Sequence, residues 1–250
     1  NKYVDNWTTD ENGVASTETK LAAGKYKIDE IKVPDKYIKL EKDVIFELNN
    51  DVKDIEYDDD YDAHITVTVG NEEAKGNLNI TKTVKLRKNV DTTLIKDIDY
   101  TKISFGLYAK DDILDPADGE IIYQKGTKIG EYNLDKDGKL SIENLHLGTY
   151  FLKELKTIDG AALDTKEYDV IFTQEDNTTK NINVNLNIEN QTTITEFSKT
   201  TITGDGELEG AKLQVYDSEG TLIDEWVSQK DKTHLIEGLK PGKFILREEI

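Results

Sequence analysis

Residues 135–154 of this 250-residue chain, DKDGKLSIENLHLGTYFLKE, contain the pattern that decides the fold. The stretch consists of an Asp-Gly turn, a short strand, a second turn at a glycine, and a strand over 149–154. In that last strand Tyr150, Leu152 and Glu154 share one face, because successive side chains of a strand point to opposite sides of the sheet. The pattern predicts a carboxylate directed into an apolar core, where an unpaired charge is costly.

The same arrangement occurs twice more, once near each end of the chain. Residues 10–30 read DENGVASTETKLAAGKYKIDE and residues 229–249 read QKDKTHLIEGLKPGKFILREE, with Glu30 and Glu248 in the position of Glu154. A pattern that returns about once per hundred residues indicates tandem domains and not a solenoid, whose repeating units are shorter.

We therefore predict an all-β chain of tandem prealbumin- or immunoglobulin-like β-sandwich domains, with turn signals at the spacing typical of such folds. The second domain is expected to be complete, the first to lack its N-terminal strands and the third its C-terminal strands. The predicted boundaries are 1–72, 73–191 and 192–250.

Composition excludes several classes of protein. The net charge of −19 argues against binding to nucleic acid or to an anionic membrane surface, because both would repel the chain. No apolar run reaches the roughly 18 residues of a membrane span, and we expect no signal peptide within these residues. The chain contains neither Cys nor Met, so disulfides do not support the fold and we expect a piece cut from a longer protein.

Three polar residues of the middle domain lie on the apolar faces of three different strands. Lys82 follows the alternating apolar residues of a predicted strand over 77–84, and Asn190 continues the apolar face of a strand over 181–188. Glu154 is the third. A surface residue would normally take the opposite parity, so the pattern predicts that Lys82, Glu154 and Asn190 meet in the core.

The two outer domains carry parts of the same set. The first contains Glu30 and Asn71, and the third contains Lys199 and Glu248. Polar residues at strand ends, or an ordinary half-buried ion pair, would explain one such set. Its recurrence in three copies favours a chemical role.

An amine, a carboxyl group and an amide buried together can react. Apolar surroundings favour the neutral forms of the amine and the acid, which makes the Lys82 amine nucleophilic and Glu154 a proton donor. A neutral Glu154 is expected to hydrogen-bond to the Asn190 amide, polarise its carbonyl and carry a proton to the leaving ammonia. The product is a Lys–Asn isopeptide bond, formed once and without turnover.

These motifs resemble a known family. The pattern G-x-L-x-I-T-K at 76–82, the stretch that ends at Glu154, and Asn190 after a closing strand are similar to the CnaB-type domains of Gram-positive surface proteins. The resemblance implies prealbumin-like sandwiches of the kind found in pilin shafts and adhesin stalks. It implies a Lys82–Asn190 bond assisted by Glu154, and partial sites at Glu30 with Asn71 and at Lys199 with Glu248.

The predicted function is a structural stalk or shaft segment of a bacterial surface adhesin or pilus-like protein. We expect an extracellular location on the cell surface, no enzymatic turnover, no cofactor, and neighbouring domains of the same longer protein as partners. The alternative is an adhesin domain pair in which loops 51–62 or 111–119 bind a host protein or a glycan.

A calcium-dependent module is a third interpretation. Residues 133–144, NLDKDGKLSIEN, nearly match an EF-hand loop, but Asn144 stands where a bidentate Glu is expected and strands flank the loop. A hairpin turn is therefore favoured. His64, His146 and His234 lie in three separate predicted domains, and the sequence predicts no metal site.

Overall fold

The structure is a computed structural model that describes residues 2–49, 55–57, 63–204 and 206–249. The chain divides into two compact units, Asn1–Glu73 and Ala74–Ile250. Strands form nearly all the regular structure, and the described residues contain one 3₁₀ turn, Tyr100–Lys102, and no α-helix. The all-β prediction is confirmed. In the same residues no helix is long and apolar enough to cross a membrane.

The first unit contains short antiparallel pairs of strands. β1 pairs with β3, β2 with β6, and β4 with β5. The bounds are β1 Gly24–Ile28, β2 Tyr37–Ile38, β3 Val44–Leu48, β4 Glu56–Tyr57, β5 Ala63–His64 and β6 Glu72–Glu73. The strand predicted over 63–69 is wrong beyond β5: residues 65–70, all of them described, form no strand. A segment with alternating apolar residues forms a strand only where a neighbouring strand pairs with its main chain. Here only the first two residues of the segment are paired.

The second unit begins with a two-layer sandwich. One layer has the strand order β12-β9-β14-β15 and the other β13-β7-β16, and β10 pairs with β11 at the side. The bounds are β7 Lys75–Lys85, β8 Thr92–Thr93, β9 Ser104–Ala109, β10 Ile113–Leu114, β11 Ile121–Tyr123, β12 Lys128–Asn133, β13 Lys139–Leu145, β14 Thr149–Lys156, β15 Glu167–Ile171 and β16 Asn181–Gln191.

The first and last strands of this sandwich are neighbours. β7 and β16 run parallel and stay in register over eleven residue pairs, from Lys75 opposite Asn181 to Lys85 opposite Gln191. Alternate residues of β7 are buried, as the predicted parity requires. The apolar core between the layers is almost completely inaccessible and includes Leu78, Ile80, Phe105, Leu107, Tyr150, Leu152, Val170 and Ile188.

The turns that flank β13 differ from the hairpin that the sequence predicts. Asp135 Oδ1 accepts hydrogen bonds from the N–H groups of Asp137 and Lys139, and Gly138 adopts a positive φ of 74°, so the turn itself is present. However, β12 and β14 lie in one sheet and β13 lies in the other. The turns therefore carry the chain between the two layers, because each strand finds its partner far away in sequence.

The rest of the second unit forms two three-stranded sheets, β17-β20-β8 and β19-β18-β21. Their strands are β17 Ile194–Phe197, β18 Lys212–Asp217, β19 Leu222–Val227, β20 His234–Glu237 and β21 Phe244–Glu249. β8 pairs in parallel with β20 although it precedes it by more than a hundred residues. Leu94, just after β8, packs against the core formed by Val215, Ile236 and Leu239. The boundary between the second and third predicted domains stays a prediction.

Candidate functional site

The three polar residues predicted for the middle domain are brought together between the layers. Lys82 lies on β7 opposite Ile188, and Asn190 lies two residues further along β16 on the same face. Glu154 lies on β14 of the other sheet, opposite Phe105 of β9. One sheet thus supplies the amine and the amide, and the other supplies the carboxylate.

The three side chains contact one another directly. Lys82 Nζ donates to Asn190 Oδ1 at 2.5 Å and lies 3.1 Å from Glu154 Oε1. Asn190 Nδ2 donates to both carboxylate oxygens of Glu154, at 2.9 Å each. All three residues are at most 2% exposed. The cluster is closed to water and each member contacts the other two.

Two further residues contact this cluster, and neither was predicted from the sequence. The N–H of Asp164 donates to Glu154 Oε2 at 2.7 Å, and Thr157 Oγ1 accepts from Asn190 Nδ2 at 3.0 Å. Asp164 contributes its main-chain N–H, so the type of residue at this position does not indicate the contact. Thr157 follows Glu154 by three residues in the segment after β14, where no strand periodicity indicates a direction.

Burial acts on the amine of Lys82. Loss of hydration lowers the pKa of Lys82, and the charge of Glu154 opposes that shift without cancelling it. The Lys82 ammonium also lies 5.5 Å from the centre of the Phe105 ring, on the apolar wall of the site. The neutral, nucleophilic amine is therefore more accessible here than on a surface lysine.

The orientation of the amide differs from the expectation. Glu154 hydrogen-bonds to the Asn190 amide as expected, but it accepts from the amide nitrogen and does not contact the carbonyl that it was expected to polarise; the carbonyl oxygen is directed at Lys82. An ionised carboxylate can only accept hydrogen bonds and an ammonium can only donate them. The pair therefore orients the amide between them in this way.

The first unit holds two of the three corresponding residues in a similar arrangement. Asn71 Nδ2 donates to both oxygens of Glu30 at 2.9 Å, and to the carbonyl oxygen of Ile38 at the same distance. The N–H of Leu40, ten residues after Glu30, donates to Glu30 Oε2 at 2.9 Å. Asp164 follows Glu154 by the same ten residues, so the carboxylate is held alike in both places.

The pair predicted in the third domain also forms, but its side chains are more exposed to solvent. Lys199 Nζ lies 3.2 Å from Glu248 Oε2, with side chains 26% and 48% exposed. The N–H of Lys199 donates to the Glu207 side chain, whereas the N–H of Lys82 donates to the main-chain carbonyl oxygen of Gly138.

The geometry gives little support to the metal-binding and ligand-binding interpretations. Among the described residues, no group of His, Asp and Glu side chains is arranged to hold a metal ion. His234 stacks on Trp226 at 4.1 Å and bonds to Asp224, which gives both rings a packing role. Of the two predicted ligand-binding loops, 51–62 lies mostly outside the described residues, and 111–119 contains the short β10.

Comparison with known proteins identifies the domain type. The profile of the SpaA family, described as a prealbumin-like fold domain, matches residues 1–61, 99–187 and 193–250. These three segments together make up more than half of the chain and agree with the tandem organisation predicted above. A search of curated proteins gives no match.

Several solved structures are similar to the chain. The Bacillus anthracis TIE protein aligns with 92% of this chain and 37% of its own, at 18% identity and a TM-score of 0.53. A streptococcal ancillary pilin aligns with 91% of this chain and 66% of its own, at 19% identity and a TM-score of 0.35. The shaft pilin spaA of Lactobacillus rhamnosus GG aligns with 70% and 88%, at 14% identity and a TM-score of 0.35. The chain thus spans about a third and about two thirds of the first two proteins.

Proposed function

Because this chain belongs to the SpaA family of prealbumin-like fold domains, we propose that it is a stalk or shaft segment of a bacterial surface protein, stabilised by a Lys82–Asn190 isopeptide bond. It acts outside the cell, as a structural element and not as an enzyme, with neighbouring domains of the same longer protein as its partners. The single observation that carries the proposal is the buried contact of Lys82 Nζ, Asn190 and Glu154.

The reaction that this contact supports is balanced within the cluster. Lys82 gives one proton to Glu154, 3.1 Å away, and the neutral amine attacks Cγ of Asn190. The Cγ–Nδ2 bond breaks as the Nζ–Cγ bond forms, and ammonia leaves. Of the three ammonium protons, one stays on the new amide, one leaves with ammonia through Glu154, and one remains on the carboxyl group. The fold supplies the proximity that a bimolecular reaction would lack.

The position of the bond suits a load-bearing role. The chain enters the sandwich at the start of β7 and leaves it at the end of β16, and these strands are parallel neighbours. Tension applied to the two ends therefore shears β7 against β16. A bond between Lys82 and Asn190 carries that tension directly, and residues 83–189 between them are not loaded.

The contacts between the sandwich and the segment after it support the same role. Glu237 of β20 is 1% exposed and accepts hydrogen bonds from Thr192 Oγ1 at 2.6 Å and from the N–H of Arg87 at 2.7 Å. Arg87 follows β7 and Thr192 follows β16, so the C-terminal ends of both strands, which lie side by side, are hydrogen-bonded to β20. Parallel pairing of β8 with β20 adds main-chain hydrogen bonds between the same parts of the chain. We call these contacts of β20 with Arg87, Thr192 and β8 the joint.

Replacing Glu237 with alanine is expected to loosen this joint. The change leaves the Arg87 N–H without its acceptor and the buried Thr192 hydroxyl with only the carbonyl oxygen of Lys85, 3.4 Å away, which costs about 2 kcal/mol. Hydrogen exchange of residues 235–239 should accelerate at least tenfold, whereas Glu219→Ala at an exposed turn should change nothing. Equal exchange in both variants would argue against a rigid joint.

The joint is also expected to weaken in acid. Burial by itself would raise the pKa of Glu237, but the hydrogen bonds from Thr192 and Arg87 outweigh it and the pKa lies below the ordinary 4.5. A carboxyl group with a lowered pKa contributes its stability above pH 4.5, and that contribution is lost as pH falls through the folded pKa. The protection of residues 235–239 from hydrogen exchange, taken relative to the intrinsic exchange rate at each pH, should therefore fall below pH 4.5 in the wild-type chain and less so in Glu237→Gln.

The proposed bond has a direct test. The intact mass of the denatured wild-type chain should be lower than the sequence mass by one ammonia, and fragmentation should yield a branched peptide that joins Lys82 to Asn190. The Asn190→Ala variant is the control and should keep its full sequence mass. A wild-type chain at full mass after prolonged incubation at neutral pH would refute the crosslink, and the protein would then be a β-repeat stalk without it.

A further inference from the structure

The amide of Asn190 has a second neighbour besides Glu154. Thr157 Oγ1 accepts a hydrogen bond from Nδ2 at 3.0 Å, from the segment that follows β14. A side-chain amide carries two N–H donors. One is directed at the Glu154 carboxylate and the other at Thr157, so both hydrogens of the leaving nitrogen are held.

We propose that Thr157 holds the leaving nitrogen of Asn190 and thereby accelerates formation of the Lys82–Asn190 bond. This inference rests on the proposed function and adds a residue to it. With both N–H groups engaged, the amide cannot exchange the positions of its oxygen and nitrogen without breaking two hydrogen bonds. The oxygen therefore stays against Lys82 Nζ, 2.5 Å away, and Nδ2 stays beside the carboxyl group that must protonate it.

Thr157 also has an effect that grows during the reaction. As Glu154 transfers a proton to Nδ2, positive charge develops on that nitrogen and its N–H groups become stronger donors. A fixed acceptor at 3.0 Å then stabilises the transition state more than the starting amide. The Cγ–Nδ2 bond breaks and ammonia departs from a nitrogen that is already bonded on both sides.

The first unit contains the same feature in a different chemical form. Nδ2 of Asn71 donates to Glu30 and, at 2.9 Å, to the main-chain carbonyl oxygen of Ile38. Both asparagines thus have an acceptor in addition to the carboxylate, supplied once by a hydroxyl group and once by the main chain. A recurring third acceptor at the amide nitrogen is what a role in orienting the amide requires.

The test compares rates of crosslinking in the full chain. Pulse-labelled chains made by cell-free translation are quenched in denaturant at intervals, and the reacted fraction is measured from gel mobility and from the loss of one ammonia. Thr157→Val keeps the shape of the side chain and removes the acceptor. We expect it to react about tenfold more slowly, the effect of one lost hydrogen bond on a rate. Thr157→Ser should restore most of the rate, and Thr165→Val, at an exposed position in the same segment, should react like the wild type.

Stability is checked in chains that cannot react. Thr157→Val is combined with Lys82→Ala, and its melting temperature should match that of Lys82→Ala alone within a few degrees. Wild-type rates in Thr157→Val, or a slow rate that Thr157→Ser does not restore, would overturn the role of Thr157 and leave the crosslink intact. A wild-type chain that never loses ammonia would overturn the crosslink itself, which separates the two failures.

Discussion

The Lys82→Ala chain is expected to keep its full mass and to lose the crosslink's contribution to stability, about 4–5 kcal/mol, as the smallest part of its destabilisation. A bond between residues 108 positions apart closes a long loop, and the chain-entropy model assigns that much stabilisation to a loop of this length. The free energy of unfolding of the second unit, measured by denaturant titration, should fall by no less than this amount, because removing the nucleophile also leaves the buried Glu154 without its partner.

Lys85→Ala is the matched control for this prediction. Lys85 lies on the same strand, but its side chain is 63% exposed and its ion pair with Glu189 spans 3.8 Å. An exposed pair of this kind contributes at most about 1 kcal/mol. Similar losses of stability in Lys82→Ala and Lys85→Ala would contradict a covalent contribution at Lys82.

Stretching single molecules gives the mechanical form of the same prediction. In the wild-type chain the sandwich should not release residues 83–189 under load, because the bond bypasses them. In Lys82→Ala these residues should extend when the sandwich unfolds. Release of the full segment in the wild-type chain would exclude a load-bearing crosslink.

Glu154→Gln should block the reaction while both bonding partners remain in place. Glutamine has nearly the same shape, but it cannot take the Lys82 proton or return one to Nδ2. The variant is expected to keep its full mass and to lose at least the stability that the crosslink supplies, as Lys82→Ala does, since each substitution also removes one partner of the buried ion pair. Glu189→Gln, at an exposed position of β16, should behave as the wild type.

The stability of Glu154→Gln should depend on pH in a defined direction. Burial already lowers the pKa of Lys82, and removal of Glu154 takes away the charge that opposes this shift. The folded chain then binds fewer protons than the unfolded one between the folded pKa and the ordinary value of 10.5, so its stability rises with pH in that range. Loss of ammonia by this variant, or a flat pH profile, would contradict the assigned role of Glu154.

The strand pattern of the middle sandwich could be predicted well because its core is two-sided and regular. The alternation before Lys82 in β7 and before Asn190 in β16 appears as alternating burial in the structure. Prediction was poorer where a strand has few partners, as after β5, and for the turns around β13, which connect different sheets. The residues of a turn determine the local bend of the chain. They do not indicate which distant strand pairs with the strand on either side of the turn.

What the sequence by itself determined is which residues face the core. Parity within a strand follows from the two-residue period of β structure, and so it singled out Lys82, Glu154 and Asn190 before their contacts were known. Only the tertiary structure decided which atoms meet, because that depends on the register of β7 with β16 and on how the second sheet packs over both. The orientation of the amide and the contacts of Thr157 and Asp164 arise from this packing. These contacts join segments that are distant in sequence, and the sequence pattern does not determine how close such segments lie in the fold.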